Sequence, residues 1–294
     1  MSGMTDTSDA TMLGRLQAVL ARLDAPRIAV AVSGGIDSLT LAAVAAPVLG
    51  ARLTLHHATS PAVPQQATDR TRELADRLGT ALVLFDAGEF DDPRYRANPA
   101  NRCFFCKTNL YGTIVARLRG SDTLVLSGTN TDDLDDYRPG LQAADAHGVR
   151  HPFVEAGISK ATLRRIAPLV GLGDLADLPS APCLSSRIET GLFIEPATLA
   201  LVHAVEQLVS AQLGRDARGP RTVRCRVRQD GLVIELDAVS LQSVQAGGED
   251  AIRSAVARAV ADAGEPVRSL RFAAYRTGSA FLRPPVDAPH PALS

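Results

Sequence analysis

The feature that most constrains this chain is a short strand that ends on glycines. Arg27-Ile-Ala-Val-Ala-Val32 is apolar and rich in β-branched residues, the pattern of a strand buried on both faces. It runs without a spacer into Ser33-Gly-Gly-Ile-Asp-Ser38, and a helical pattern covers 37–49. Strand patterns at 52–58, 81–85 and 123–127 alternate with helical patterns at 65–78, which stops at Gly79, and at 103–118. The fold class this implies is α/β, a parallel sheet with helices on both faces. Ligands of such sheets sit beyond the carboxyl ends of the strands.

The second half reads differently. Residues 179–191 form a loop with two prolines, Cys183 and Arg187; 195–213 read as a helix and 214–221 as a Gly/Arg/Pro linker. Strands at 222–228 and 232–236 flank an Asp-Gly turn, followed by a helix at 249–263 and a strand at 267–274. The expected division is an α/β domain over 1–190 and a small α+β domain over 191–294, given to substrate binding or oligomerisation. The tail after Arg283, with four prolines, is expected to be disordered.

Composition excludes several function classes. Across 294 residues, 31 basic side chains face 32 acidic ones, so bulk electrostatic binding of nucleic acid is not expected. Four cysteines are too few for a disulfide scaffold of this size. The first ten residues are polar, and the longest apolar stretch, 39–51, contains Pro47 and falls short of the ~20 residues a span needs. A cytoplasmic protein without a membrane partner is expected. The cations are almost all arginine; Lys107 and Lys160 are the only lysines, each a candidate for a role that arginine cannot fill.

Ser33-Gly-Gly-Ile-Asp-Ser38 has the makings of a phosphate cradle. Adjacent glycines let backbone approach a ligand, a helix N-terminus offers unpaired N–H groups, and Ser33 and Ser38 add hydroxyls. No Gly-Lys-Ser/Thr follows, so this is not a Walker loop. Gly171-Leu-Gly-Asp-Leu-Ala176 matches a dinucleotide fingerprint in letters only; it follows a helix-like stretch and reads as a helix C-terminus.

The loop resembles the PP-loop of ATP pyrophosphatases, which cleave ATP between the α and β phosphates and adenylate an oxygen that a nucleophile then frees of AMP. The resemblance implies ATP and Mg²⁺, with Asp37 helping to place the metal. Ser127-Gly-Thr-Asn-Thr-Asp-Asp133, at the end of the fourth strand, would complete the site: Gly128 letting backbone approach the nucleotide, Thr129 and Asn130 beside it, Asp132 and Asp133 organising metal or ribose.

The cysteines allow several readings. Cys103 and Cys106 form a CxxC pair, open to a redox dithiol, half of a zinc site or part of an iron–sulfur site. Cys183 is the third thiol, and three thiolates suit a four-iron cluster that keeps one iron open. Cys225 sits in a strand between Arg224 and Arg226 and reads as a buried residue, with a lowered thiol pKa as the alternative.

Together, the Ser33–Ser38 loop, Asn98-Pro-x-x-Arg-Cys-x-x-Cys-Lys107, Asp132-Asp-x-x-Asp-Tyr-Arg-Pro-Gly140 and Pro182-Cys-Leu-x-Ser-Arg187 resemble the LarE family of ATP-dependent sulfur transferases, from about Arg27 to Ser279. The resemblance implies conversion of the carboxylates of pyridinium-3,5-biscarboxylic acid mononucleotide to thiocarboxylates, for the nickel-pincer nucleotide cofactor. The family draws sulfur either from the cysteine of the Pro-Cys-Leu motif, which becomes dehydroalanine, or from a sulfide on a [4Fe–4S] cluster held by three cysteines. Cys103, Cys106 and Cys183 favour the cluster version, with Cys183 a ligand. Partners expected are this small nucleotide, further copies of the chain and a sulfide-donor protein.

A substrate with a phosphate and two carboxylates suits guanidinium forks. Arg138, Arg187, Arg226 and Arg228 are the candidates; Arg226 and Arg228 alternate on a strand and share a face. Glu206 and Glu235 take the family's acidic positions, Lys107 stands beside the CxxC pair, and Tyr275-Arg-Thr-Gly-Ser279 resembles the closing segment. The chain departs from the family at Gln229-Asp230, where a histidine is common, at Phe272-Ala-Ala274, and in a longer linker before residue 222. The alternatives are a PP-loop tRNA thiolase, which would need stacking aromatics that this chain, with no tryptophan, largely lacks, and a noncatalytic nucleotide-binding regulator. An amidating synthetase would need an ammonia source, and no glutaminase domain accompanies this one.

Overall fold

The computed structural model describes residues 8–134, 139–176, 182–214, 221–264, 269–276 and 279. In chain order the elements are α1 (Asp9–Ala21), β1 (Arg27–Ala31), α2 (Ile36–Leu49), β2 (Leu53–Ala58), α3 (Gln65–Leu78), β3 (Ala81–Phe85), α4 (Pro93–Arg96), α5 (Arg102–Arg117), β4 (Thr123–Ser127), α6 (Pro139–Ala146), α7 (Pro152–Glu155), α8 (Lys160–Leu169) and α9 (Gly173–Ala176). They continue with α10 (Pro196–Leu213), β5 (Val223–Arg228), β6 (Gly231–Leu236), α11 (Ala238–Ser243), α12 (Glu249–Asp262) and β7 (Ser269–Ala274). Residues 1–91 and 103–181 make up one compact unit, 92–102 and 182–294 the other.

In the first unit the sheet order is β3-β2-β1-β4, with every pair parallel. The α/β class read from the sequence is the class observed. β1 is buried on both faces because its residues alternate between two cores. Ile28 and Val30 join Leu16, Leu39 and Leu41 of α1 and α2, while Ala29 joins Tyr111 and Ile114 of α5 and Val125 of β4. α1, for which the sequence reading assigns no element, buries Met12, Leu16 and Leu20 at four-residue spacing. α3 ends on Gly79 in the left-handed conformation, as its sequence requires. Gly171 (φ +77°) follows the end of α8 and the rest of the fingerprint-like string, Gly173–Ala176, is the short α9, so the string joins two helices and follows no strand.

The second unit contains a mixed sheet, β5-β6-β7, with β5–β6 antiparallel and β6–β7 parallel. Arg228 pairs with Gly231, so the turn is Gln229-Asp230 and not the expected Asp-Gly. Gly231 is instead the first residue of β6. A Cβ there would stand 2.2 Å from the Ser269 carbonyl oxygen, so glycine is what lets β7 lie alongside. α10 and α12 bury Val202, Val205, Ile252 and Val256. Among the described residues no helix is long and apolar enough to cross a membrane.

Candidate functional site

β1 and β4 are neighbours, Ala31 opposite Ser127. The chain runs outward through β2 and β3 and returns to the other side of β1 as β4, so the strand order reverses there. The crevice at such a switch point is the usual ligand position in an open parallel sheet. Both expected nucleotide segments leave the sheet at that place.

Ser33–Ser38 folds onto itself. The Ser33 N–H donates to Ser38 Oγ at 3.0 Å, Ser38 Oγ donates to the Gly35 carbonyl at 3.1 Å, and the two serine hydroxyls lie 3.2 Å apart. Arg70 of α3 donates from Nε to the Gly34 carbonyl at 3.0 Å. Gly34 has φ +74°, and a Cβ there would meet the Ala67 carbonyl oxygen at 2.3 Å. A Cβ on Gly128 would stand 2.9 Å from Ser38 N and 3.0 Å from Asp37 C. The freedom that the sequence reading gave Gly128 for an approaching nucleotide is used in this structure for the approach of α2.

Asp37 lies in the first turn of α2, where its charge complements the helix dipole. Burial raises its carboxyl above the ordinary aspartate value, and an ion pair with Lys160 Nζ pulls it back. Lys160 opens α8 behind the Ser159 cap, and its backbone N–H donates to Asp132 Oδ2 at 3.3 Å. Asn130, almost fully buried, caps the turn that carries Asp132 and Asp133: Asp132 N–H donates to Asn130 Oδ1, and Asn130 N–H to Asp133 Oδ2, both at 3.1 Å. Ser127 Oγ lies 3.0 Å from Thr129 Oγ1 and 2.8 Å from His151 Nδ1. Burial lowers the His151 pKa, which favours a neutral imidazole.

Cys103 and Cys106 stand at i and i+3 on α5, so one helix face carries both, each half-buried and in no disulfide. Lys107 Nζ sits 5.6 Å from the Tyr111 ring centroid. A Cβ on Gly140 would come 3.0 Å from Lys107 Cγ, so glycine makes room for the lysine stem.

The second unit holds the other candidates. Arg187 pairs with Glu206 through Nε and Nη2 at 2.9 and 3.0 Å, and its Nη1 donates to the Pro182 and Cys183 carbonyls. Glu206 also accepts the Cys225 backbone N–H at 2.9 Å. Arg226 donates to Glu235 at 2.9 Å and to the Ser186 carbonyl at 3.0 Å. Both arginines are buried, so much of each guanidinium is already committed. Arg228 is less enclosed; it donates to Glu189 at 3.1 Å and the Ser279 carbonyl at 2.8 Å, and it lines an apolar-walled cavity of about 540 Å³ beside Leu201, Leu232 and Val256. Cys183 is exposed ahead of the turn that carries Arg187. Arg138 lies outside the described residues.

No family model matches the chain. It is 38% identical over 218 residues to an uncharacterized protein of Synechocystis sp., covering 74% of this chain and 78% of that one. It is 30% identical over 233 residues to the pyridinium-3,5-bisthiocarboxylic acid mononucleotide synthase of Lactiplantibacillus plantarum, covering 78% of this chain and 79% of that one. The chain belongs to the LarE family. A further likeness, 24% over 184 residues, is to an uncharacterized protein of Methanocaldococcus jannaschii.

Cofactor fit in this LarE-family chain can be tested on its own groups. The Ser33–Ser38 loop, with no side chain on Gly34 or Gly35 and an acid in the following helical turn, fits a phosphate and its metal. Cys103, Cys106 and Cys183 are in no disulfide, and thiols of this kind fit cluster ligation by chemistry; the first two belong to one unit and the third to the other. Within either unit, no three His, Cys, Asp or Glu side chains among the described residues stand close enough to hold a metal ion. Cys225 does not join the set. It is fully buried in β5, and burial pushes its thiol well above the ordinary value, opposite to the lowering that its flanking arginines invite.

None of the LarE-family motifs contains Lys160, Arg70 or His151, so the motifs led to no site role for them. Lys160 carried a signal in its rarity and in the Ser159 cap before it. Arg70 carried none, being one arginine among many on an amphipathic helix.

Proposed function

We propose that this chain is an ATP-dependent sulfur transferase that converts the carboxylates of pyridinium-3,5-biscarboxylic acid mononucleotide to thiocarboxylates, a step in making the nickel-pincer nucleotide. The observation that carries the reading is the 30% identity, spread over 233 residues, to a synthase named for the bisthiocarboxylic product.

In this reading Ser33, Gly34, Gly35 and Ser38 hold the ATP phosphates, Asp37 the magnesium, and Gly128, Thr129, Asn130 and Asp132 the rest of the nucleotide. A substrate carboxylate oxygen bonds to the α-phosphorus, and the electron pair of the broken bridge leaves with pyrophosphate. A sulfur nucleophile then adds to the acyl carbon, and AMP leaves with the electron pair of the acyl C–O bond. Lys107, Arg138 and Arg228 receive substrate anions. Arg187 and Arg226, held by Glu206 and Glu235, shape the Cys183 segment and offer charge to the same anions. Cys103, Cys106 and Cys183 would hold a [4Fe–4S] cluster, which when bound supplies a transferable sulfide on its open iron.

The test is anaerobic purification with iron and sulfide quantification, then incubation with magnesium ATP and the dicarboxylate nucleotide. Thiocarboxylate should appear in step with AMP and pyrophosphate. ATP turnover on an intact cluster without any thiocarboxylate would overturn the substrate. Intact-mass analysis after turnover should find Cys183 unchanged; its conversion to dehydroalanine would replace the cluster with the cysteine as sulfur source.

A further inference from the structure

We propose that Tyr95 and Asn98 are positioning residues for Cys183. The segment that precedes the CxxC pair clamps the turn that follows Cys183, and the clamp aims its thiol for sulfur delivery, whether that thiol ligates a cluster or gives up its own sulfur. This rests on the sulfur-transfer reading above and adds residues to it.

Three observations carry the assignment. First, residues 92–102 pack with the second unit, although first-unit residues flank them on both sides in the sequence. Arg102, the last of them, is followed directly by Cys103. Second, this segment holds the Cys183 turn by buried side chains. Tyr95 Oη lies 2.6 Å from Ser185 Oγ, and both residues are buried. Asn98 Nδ2 donates to the Glu189 carbonyl at 2.8 Å, and the Gly191 N–H donates to the Asn98 carbonyl at 2.9 Å. Within the turn, the Ser185 carbonyl accepts the Ile188 N–H at 3.2 Å and the Cys183 carbonyl accepts the Ser186 N–H at 2.9 Å, so the hold reaches Cys183 through a few residues. Third, the clamp is built at a cost. Asn98 has φ +53°, the only non-glycine residue with a positive φ among the described residues. Arg102, 1% exposed, donates from Nη1 to Asn98 Oδ1 at 2.7 Å, which places a guanidinium in the interior.

The residue types fit a clamp. Glycine would take the φ of Asn98 more easily, but it has no Nδ2 for the Glu189 carbonyl and no Oδ1 for Arg102. Asparagine tolerates the left-handed region and supplies both. Phenylalanine would serve at 95 if packing were the whole role; the tyrosine hydroxyl instead meets the residue two positions after Cys183. Cys183 is exposed while the turn behind it is buried, so the thiol stands at the surface on a fixed base. Its placement matters at one step. Sulfur must reach the acyl carbon of the adenylate before water does. When water adds there instead, AMP leaves with the electron pair of the acyl C–O bond, the carboxylate is regenerated and the protons of water pass to solvent. A displaced Cys183 therefore leaves adenylation intact and loses its product to hydrolysis.

The test counts thiocarboxylate formed per pyrophosphate released by the full chain with magnesium ATP and the dicarboxylate nucleotide. Circular dichroism and hydrogen exchange of the 183–189 peptide accompany it. Tyr95→Phe should lower the ratio roughly 3- to 10-fold, the worth of one hydrogen bond. Asn98→Gly should lower it about 10- to 100-fold, the cost of a misplaced reacting group. Pyrophosphate release per folded chain should keep its wild-type rate in both. Without ligand, exchange in 183–189 should quicken in both variants while that of β6 does not. A role confined to folding would lower thiocarboxylate and pyrophosphate together and keep their ratio. That outcome, or unchanged exchange in 183–189, would overturn the positioning role and leave the sulfur-transfer reading standing. If Asn98→Gly does not fold, Tyr95→Phe decides alone. A wild-type chain that releases pyrophosphate without any thiocarboxylate would instead remove the sulfur-transfer reading, and this one with it.

Discussion

Arg187 and Arg226 are each buried against one carboxylate, and that arrangement decides what they do before any substrate arrives. A buried ion pair contributes little net stability, but removing one partner strands the other charge, at a cost of about 3–5 kcal/mol. Glu206 is the more exposed test, because it also accepts the Cys225 backbone N–H. Glu206→Ala is expected to lower the unfolding free energy by about that amount, read as a shift in the urea midpoint. A shift no larger than that of a surface substitution would mean that Arg187 finds other partners. The sequence marked all four of these residues as substrate groups from their motif positions. Their mutual pairing was not legible, because residues 19 apart in one pair and 9 apart in the other meet only through the fold.

At the scale of elements, the strands of the parallel sheet were legible because an apolar β-branched run buried on two faces has few other solutions. α1 was not, since Met12, Leu16 and Leu20 are spaced among small and polar residues that carry little contrast. The loop motif was legible by its letters, but its glycines turned out to answer to packing as well as to a ligand. That makes a test. Gly128→Ala would set a methyl group 2.9 Å from backbone at Ser38, which cannot swing aside as a side chain does. The expected result is a loss of about 1–3 kcal/mol of stability, as for other overpacking changes, together with weaker ATP binding as the first turn of α2 shifts. Gly34→Ala should be worse, since it adds a φ of +74° to a 2.3 Å approach. Full stability in both variants would show that the helix and loop tolerate displacement.

The whole molecule carries buried titratable groups of two kinds, and they pull its pH profile in opposite directions. Burial lowers His56, His57 and His151 below the ordinary value of 6.5. The unfolded chain therefore takes up these protons first as pH falls through about 6.5, and stability is lost in that direction. Burial raises Asp37 and Glu89 above 3.8 and 4.5. The folded chain then holds their protons longer, so each costs stability as pH rises through the window above those values. Glu89 isolates the second effect. It is 5% exposed, its Oε2 has no hydrogen-bond partner among the described residues, and it lies outside both candidate nucleotide segments. Glu89→Gln removes the charge and keeps the shape. Urea unfolding at a series of pH values should find the variant more stable than wild type at pH 7, with the gain shrinking as pH falls toward 4.5 and the parent carboxyl becomes neutral. Both proteins should still lose stability below 6.5 through the histidines. A gain that stays constant with pH would place the effect in packing instead of charge, and would return Glu89 to the ordinary carboxylate range.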